Sequence, residues 1–305
     1  MGRSASYYQV DSFTAKPFDG LPVTVLTHVT GLSDIEMQNI ASEFNCGNTV
    51  FLMPSFELAK AHYRLRHFNQ KQEVPVDFRN ILASLWVLVQ EEVLPIPIDG
   101  SLFYKIGETP GDSIVSEIRC SGGKVDRILY GFPVPTMSVS QKSLTTRVEY
   151  IFKTMEERPP EISRAIMISL DRRCVYVAVD GQTLLNFQPG SAIVHQFQSN
   201  EKLDLSLIAV DREEREAHVY QRTFRASNGQ VTDTVDCNDA TVAALFYLQE
   251  KPVSNGMCHV KVHQVNARGR WCEIYCELTV RNRSVISCKL GGNAVIVGSG
   301  KIIIE

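Results

Sequence analysis

The chain has 305 residues, too many for one small hydrophobic core and enough for two medium domains or one large one. Its 44% hydrophobic and 21% charged residues are ordinary for a globular protein. A net charge of −3 without a long basic run argues against a nucleic-acid partner, because neutralising phosphates needs a basic stripe. No stretch nears the length of apolar sequence that spans a membrane, and MGRSASYYQV has no apolar signal core, so a cytoplasmic location is expected.

In chain order, SYYQVDSF and PVTVLTHV read as strands, rich in β-branched and aromatic residues. SDIEMQNIASEF (33–44) reads as a helix with Ser33 as N-cap. Glu36, three residues on, completes a capping box, and Ile35, Met37, Ile40 and Ala41 are the expected apolar face. FNCGNTVF (44–51) then sets a small polar centre between apolar anchors Phe44, Val50 and Phe51. It has the composition of an active-site loop, yet carries no strong acid or base.

TVFLMP and AHYRLRHF are strands, and NILASLWVLVQEE (80–92) is apolar all round, as a buried central helix is. Strands SLFYKIG, SIVSEIRC and KVDRILYGFP follow, and GFPVPTMS (131–138) marks the crossing into a second half. There TTRVEYIFKTM reads as a helix, AIMISLD, CVYVAVD, SLIAVD and AHVYQRTF as strands, and DATVAALFYLQE (239–250) as another apolar helix. DREEREAH (211–218) mixes charge signs and reads as a solvated face, and the tail is strands and Gly/Asn turns.

Eight dispersed cysteines without a CxxC read as free thiols, mostly buried in strands. In CHVKVH, His259 and His263 stand roughly 13 Å apart by strand rise, too far for one ion, so no metal site is expected.

The halves repeat a plan. RHF (66–68) leads through a loop to VPVDFRNILASLWVL, and RTF (222–224) leads to TDTVDCNDATVAALFYL. Val76-Asp77 matches Val235-Asp236, an internal duplication that predicts two similar lobes. Two buried helices entered by polar loops, with their N-termini at one cleft, have the form of a small-anion site. A group on each face of a substrate carbon is the arrangement for cofactor-free proton transfer.

YYQVDSFTAKPFDGLPVTVL, IASEFNCGNTVF, RHFNQKQEVPV, RTFRASNGQVTD and HQVNARGRW…GGNAVIVGSGKI together resemble the PhzF-like family of phenazine-biosynthesis-type isomerases, which have the diaminopimelate epimerase fold. The resemblance runs the whole length in order. It implies an α+β protein of two pseudo-symmetric lobes, each a β-barrel-like sheet around a central helix. Residues 1–132 and 133–291 are the expected lobes, with a strand near 292–305 returning to the first. It also implies chemistry without metal or cofactor on small carboxylate- or carbonyl-bearing molecules, secondary metabolite biosynthesis as a setting, and a homodimer.

The signature residues of that family are rewritten. Asn48 stands where the loop carries its glutamate, Arg79 replaces a histidine, and Phe78 replaces a glycine. Asp233 keeps the family's aspartate, while Asp236-Cys237-Asn238 replaces Thr-Gly-Ser and Gly20-Leu21-Pro22 replaces Gly-Asn-Pro. The acid/base candidates are therefore Asp233, Asp236 and Asp77, the last two at equivalent places in the two lobes. Each has a plainer alternative: a surface loop residue for Asp233, helix N-caps for Asp77 and Asp236. The candidate substrate contacts are Asn48, Phe78, Arg79, Cys237 and Asn238. Against these stand a turn residue for Asn48, a salt bridge to Asp77 or Glu73 for Arg79, and a structural thiol for Cys237. His67 reads as a core or edge histidine.

The leading expectation is a cofactor-independent isomerase or cyclase of this type, acting by proton transfer or by holding a reactive conformer. The alternative is a non-catalytic descendant that binds a metabolite or a protein partner. An amino-acid racemase is the weaker third, since the paired thiols of the related epimerases are missing.

Overall fold

The computed structural model describes residues 3–55, 62–107, 113–139, 166–169, 174–188, 204–211, 218–227, 230–265 and 269–304. The chain is an α+β protein that divides into two units, Met1–Gly131 with Lys289–Glu305, and Phe132–Cys288.

The first unit begins with β1 (Arg3–Ser12), β2 (Leu21–Thr27), α1 (Asp34–Phe44), β3 (Thr49–Pro54), β4 (Tyr63–Phe68) and β5 (Glu73–Val74). It continues with α2 (Phe78–Gln90), β6 (Gly100–Gly107), β7 (Ser113–Ser121) and β8 (Lys124–Phe132). The second holds β9 (Met137–Val139), β10 (Ile166–Ser169), β11 (Cys174–Ala178), α3 (Gly181–Asn186), β12 (Asp204–Val210), β13 (Val219–Ser227) and β14 (Gln230–Thr234). Then come α4 (Cys237–Glu250), β15 (Gly256–Val265) and β16 (Trp271–Arg281). The division falls within β17 (Ser284–Gly292), and β18 (Ala294–Ile304) belongs to the first unit, antiparallel to β1 from Arg3↔Ile304 to Ser12↔Ala294.

The strand pairing repeats. In the first unit β2 and β3 are parallel across α1, β3 and β4 antiparallel, β4 and β6 parallel, and β6 and β7 antiparallel. In the second, β11 and β12 are parallel across α3, β12 and β13 antiparallel, β13 and β15 parallel, and β15 and β16 antiparallel. Each parallel pairing needs a crossover. The element preceding β6 or β15 is the apolar helix, and it lies buried on the sheet.

Helix α2 buries Ile81, Leu82, Ala83, Leu85, Val87 and Leu88 against β1, β2, β3 and β18. Helix α4 buries Ala240, Val242, Ala243, Ala244, Phe246 and Tyr247 against β12, β13, β15 and β16. Both start two residues before the apolar runs that announce them, because Asp77 and Asp236 take the cap position with extended backbone.

Helix α1 has the capping box: Glu36 N–H donates to the Ser33 hydroxyl, and the Glu36 carboxylate accepts from Ser33 N–H at 2.7 Å. Its expected apolar face needs one correction. Met37, Ile40 and Ala41 are buried, but Ile35 is 74% exposed, since two residues before Met37 is about 200° round the helix.

Gly291 of β17 marks a close approach in the first unit. A Cβ there would lie 1.8 Å from the Ile128 carbonyl oxygen, so only glycine lets the two backbones meet. The expected helix TTRVEYIFKTM and residues 212–217 of DREEREAH lie outside the described residues. No helix among the described residues is long and apolar enough to cross a membrane.

Candidate active site

The loop after α1 is built on left-handed backbone at Asn45 and Gly47, with φ of 49° and 77°. The turn brings the Asn48 carbonyl to Thr24 N–H (2.9 Å) and to the Cys46 thiol (3.0 Å), and Cys46 Sγ also lies 3.1 Å from the Thr24 hydroxyl. The backbone of Asn48 is thus fixed. Its half-buried side-chain amide has no hydrogen-bond partner among the described residues, so it can both donate to and accept from a small molecule.

At the start of α2, Asp77 Oδ1 accepts from Asn80 N–H at 3.2 Å, and Asp77 Oδ2 is 2.5 Å from Arg79 Nε. Arg79 is therefore ion-paired with Asp77, while Glu73 is taken by Arg66 through two contacts of 2.6 and 2.7 Å. A cation in a first helical turn opposes the helix dipole, and the paired carboxylate offsets that cost. Phe78 lies stacked on Tyr130, ring centroids 4.2 Å apart and planes at 4°. His67 is buried, with its Nδ1 2.9 Å from the Pro75 carbonyl.

At the start of α4, Asp236 Oδ1 accepts from Asn238 N–H at 2.7 Å and from the Asn238 side-chain amide at 2.9 Å. Its Oδ2 faces Arg225 at 3.9 Å, and Arg225 also holds Asp204 at 2.6 Å. Burial pulls the Arg225 guanidinium down, but the bond to Asp204 and the charges of Asp204, Asp239 and Asp236 outweigh it and raise it. Cys237 is half-buried in the first turn and forms no disulfide among the described residues. Asp233 is opposite Phe224 in the pairing of β14 with β13, and its side chain lies outside the described residues.

The structure thus groups Asp77, Phe78 and Arg79 at one helix start, and Asp236, Cys237 and Asn238 at the other. Both aspartates are N-caps. A capping aspartate still presents a carboxylate at the positive end of its helix dipole, so capping and acid/base roles are compatible.

Several polar residues escaped the sequence reading because they sit inside the apolar helix and strand patterns. Asn80 and Ser84, one turn apart on α2, are fully buried, and neither the Asn80 amide nor the Ser84 hydroxyl has a hydrogen-bond partner among the described residues. Asp239, at the place in α4 equivalent to Asn80, is also fully buried and accepts from the Tyr176 hydroxyl at 2.8 Å. The signal was present in the duplication, as a polar residue three positions after each matched aspartate. Gln221 and Gln264 on β13 and β15 are buried as well and carried no such signal.

The family model described as phenazine biosynthesis-like protein (PhzC-PhzF) matches residues 10–300. The chain belongs to that PhzF-like isomerase family. It is 26% identical over 317 residues to an uncharacterized isomerase of Clostridium acetobutylicum, covering 100% of both chains. Among solved structures it is similar to a PhzF family phenazine biosynthesis protein of Bacillus anthracis, with a TM-score of 0.77 and 19% identity, covering 99% of this chain and 100% of the other. A more distant likeness of fold, with a TM-score of 0.53 and 14% identity, is to a hydroxyproline epimerase of Agrobacterium vitis with bound trans-4-hydroxy-L-proline, covering 99% of this chain and 94% of the other.

Proposed function

We propose that this chain is a cofactor-independent isomerase or cyclase acting on a small natural-product intermediate that bears a carboxylate or carbonyl. The observation that carries the reading is the placement of Asp77 and Asp236 as N-caps of the equivalent buried helices α2 and α4. In the reaction, a carboxylate takes a proton from a carbon next to a carbonyl, and a carboxyl group returns one at a new position. Asp236 and Asp77 are the assigned groups, with Asp233 as the further candidate. The Asn48 amide, Arg79, Phe78, Cys237 and Asn238 are the assigned substrate contacts. The bound epimerase substrate of the Agrobacterium vitis neighbour is a small amino acid, in keeping with a ligand of this size and charge. A homodimer completes the reading, carried by the family resemblance.

A second reading has its own support. Phe78 is stacked flat on Tyr130, and Asp77 is engaged by both Arg79 and its own helix. These contacts favour a binding protein that has given up proton transfer.

A search in deuterated water separates the two. Purified protein is incubated with metabolite extract from cells lacking the gene, and the mixture is followed by mass spectrometry. A compound converted into an isomer carrying solvent deuterium supports the enzyme. A conversion without deuterium supports cyclisation by conformer positioning. Unchanged extract with a ligand retained on the protein supports the binder.

A further inference from the structure

In the second unit, the residue that joins β14 to α4 is held by one side chain from both sides. Gln264 Oε1 accepts from Asp236 N–H at 3.0 Å, and Gln264 Nε2 donates to the Asp236 carbonyl at 3.1 Å. The amide therefore does for Asp236 what a neighbouring strand does for a strand residue. Asp236 has the matching backbone, φ −146° and ψ 132°. Gln264 is in turn fixed by Gln221, its register partner in the parallel pair β13–β15, whose Oε1 accepts from Gln264 Nε2 at 2.6 Å. Gln221 Nε2 donates to the Ser206 hydroxyl and to the Asp239 carbonyl, each at 3.0 Å. Thr223 donates to the same Ser206 oxygen at 3.0 Å. Gln221, Ser206 and Thr223 are 0–1% exposed, as is Gln264.

We propose that Gln264 is the positioning residue of Asp236, and that the ladder Ser206–Gln221–Gln264 fixes where the Asp236 carboxylate stands. Buried amide ladders of this kind are rigid, because each member has its donors and acceptors matched by the next. A rotation of Asp236 about its backbone would break both bonds to Gln264 and misplace the carboxylate, and proton transfer is sensitive to displacements of that size. The duplicated first unit does not repeat Gln221. The residue equivalent to Gln221 in RHF against RTF is Leu65, and Asp77 is instead tied by its carboxylate to Arg79. The two aspartates are thus unequal: Asp236 has an anchored backbone and a long ion pair to Arg225 at 3.9 Å, whereas Asp77 has a close ion pair to Arg79 at 2.5 Å. This inference rests on the reading of Asp236 as an acid/base group, and the experiment separates the two.

The test uses the full-length chain and four variants: Gln264→Leu, Gln264→Asn, Asp236→Asn, and Leu278→Ala as a control that opens a cavity in the same unit away from the ladder, at a fully buried position on β16. Amide hydrogen exchange at Asp236 and the NMR titration of its carboxyl carbon need no substrate. Both Gln264 variants are expected to speed exchange of the Asp236 N–H by about tenfold or more and to move the Asp236 titration midpoint, while Leu278→Ala leaves both near wild type. Gln264→Asn keeps the amide and loses only reach, so it carries the comparison if Gln264→Leu does not fold. With the substrate from the deuterium search, the Gln264 variants are expected to lower kcat about tenfold with KM unchanged. Exchange and titration at Asp236 that match wild type in both Gln264 variants overturn the inference. So does an Asp236→Asn enzyme that is inactive while the Gln264 variants keep full kcat. Full activity in Asp236→Asn instead removes the acid/base reading itself.

Discussion

Phe78 lies flat on Tyr130, with ring centroids 4.2 Å apart and planes within 4°. Tyr130 is 1% exposed, so the stack covers a buried ring with a half-buried one at the first position of α2. Phe78→Ala is expected to cost about 2 kcal/mol, below the roughly 3–5 kcal/mol of a fully buried phenylalanine. It is also expected to admit larger ligands. Thermal unfolding measures the first effect, and a ligand-size series the second.

Glu117 on β7 gives a pH signature. Burial pushes its carboxyl up, but hydrogen bonds from Arg119, Lys289 and Ser101 outweigh this and hold it at about 2, against an ordinary 4.5. Its folded value lies below its unfolded one. The stabilisation is therefore fully present above about pH 4.5 and lost as pH falls toward 2. Glu117→Gln is expected to cost about 2 kcal/mol at neutral pH and much less near pH 2, as read from urea unfolding at several pH values. Glu273 in the second unit is also held at about 2, with burial outweighed by His263, Tyr275 and Lys261, so the variant flattens the acid limb only in part.

Gly291 admits no side chain. With a Cβ meeting the Ile128 carbonyl at 1.8 Å, Gly291→Ala requires backbone displacement and is expected to cost more than about 3 kcal/mol. Guanidinium unfolding checks this, and Gly131→Ala on β8, where a Cβ meets nothing within 4 Å, is the control for adding the same methyl group to a strand.

Asn80 is the opposite case. Its buried amide has no partner among the described residues, and the polar group contributes desolvation cost without a bond in return. Asn80→Leu is expected to raise stability by about 1 kcal/mol. If Asn80 serves a bound molecule, the same variant loses ligand affinity, and calorimetry on wild type and variant separates the effects.

Much of the fold was legible because its elements are locally encoded. The capping box at Ser33 and Glu36, the apolar helix after Asp77, and the repeated Val-Asp before each central helix all rest on neighbouring residues. The missed features are tertiary. Gln264 meets Asp236 only when β15 lies beside β13, and Gln221 reaches Gln264 only through the register of that parallel pair. Ile35 was misassigned because strict helical spacing puts it off the face shared by Met37, Ile40 and Ala41. The likeness of Asn80 to Asp239 could have been read from the duplication, yet their burial depends on the sheets around them. Resemblance supplied the family and the places to examine. For Arg79 the sequence offers Asp77 or Glu73 as partner, and the choice falls to Asp77 because Arg66 takes Glu73.

The proposed reaction requires Asp236 and Asp77 to move the proton. The most direct measurement compares wild type, Asp236→Asn and Asp77→Asn for solvent-deuterium incorporation into the converted compound. Asparagine still caps a helix, so each variant is expected to stay within about 1 kcal/mol of wild-type stability. The account predicts folded proteins that have lost at least about a hundredfold in incorporation rate. Wild-type incorporation in both variants would contradict it.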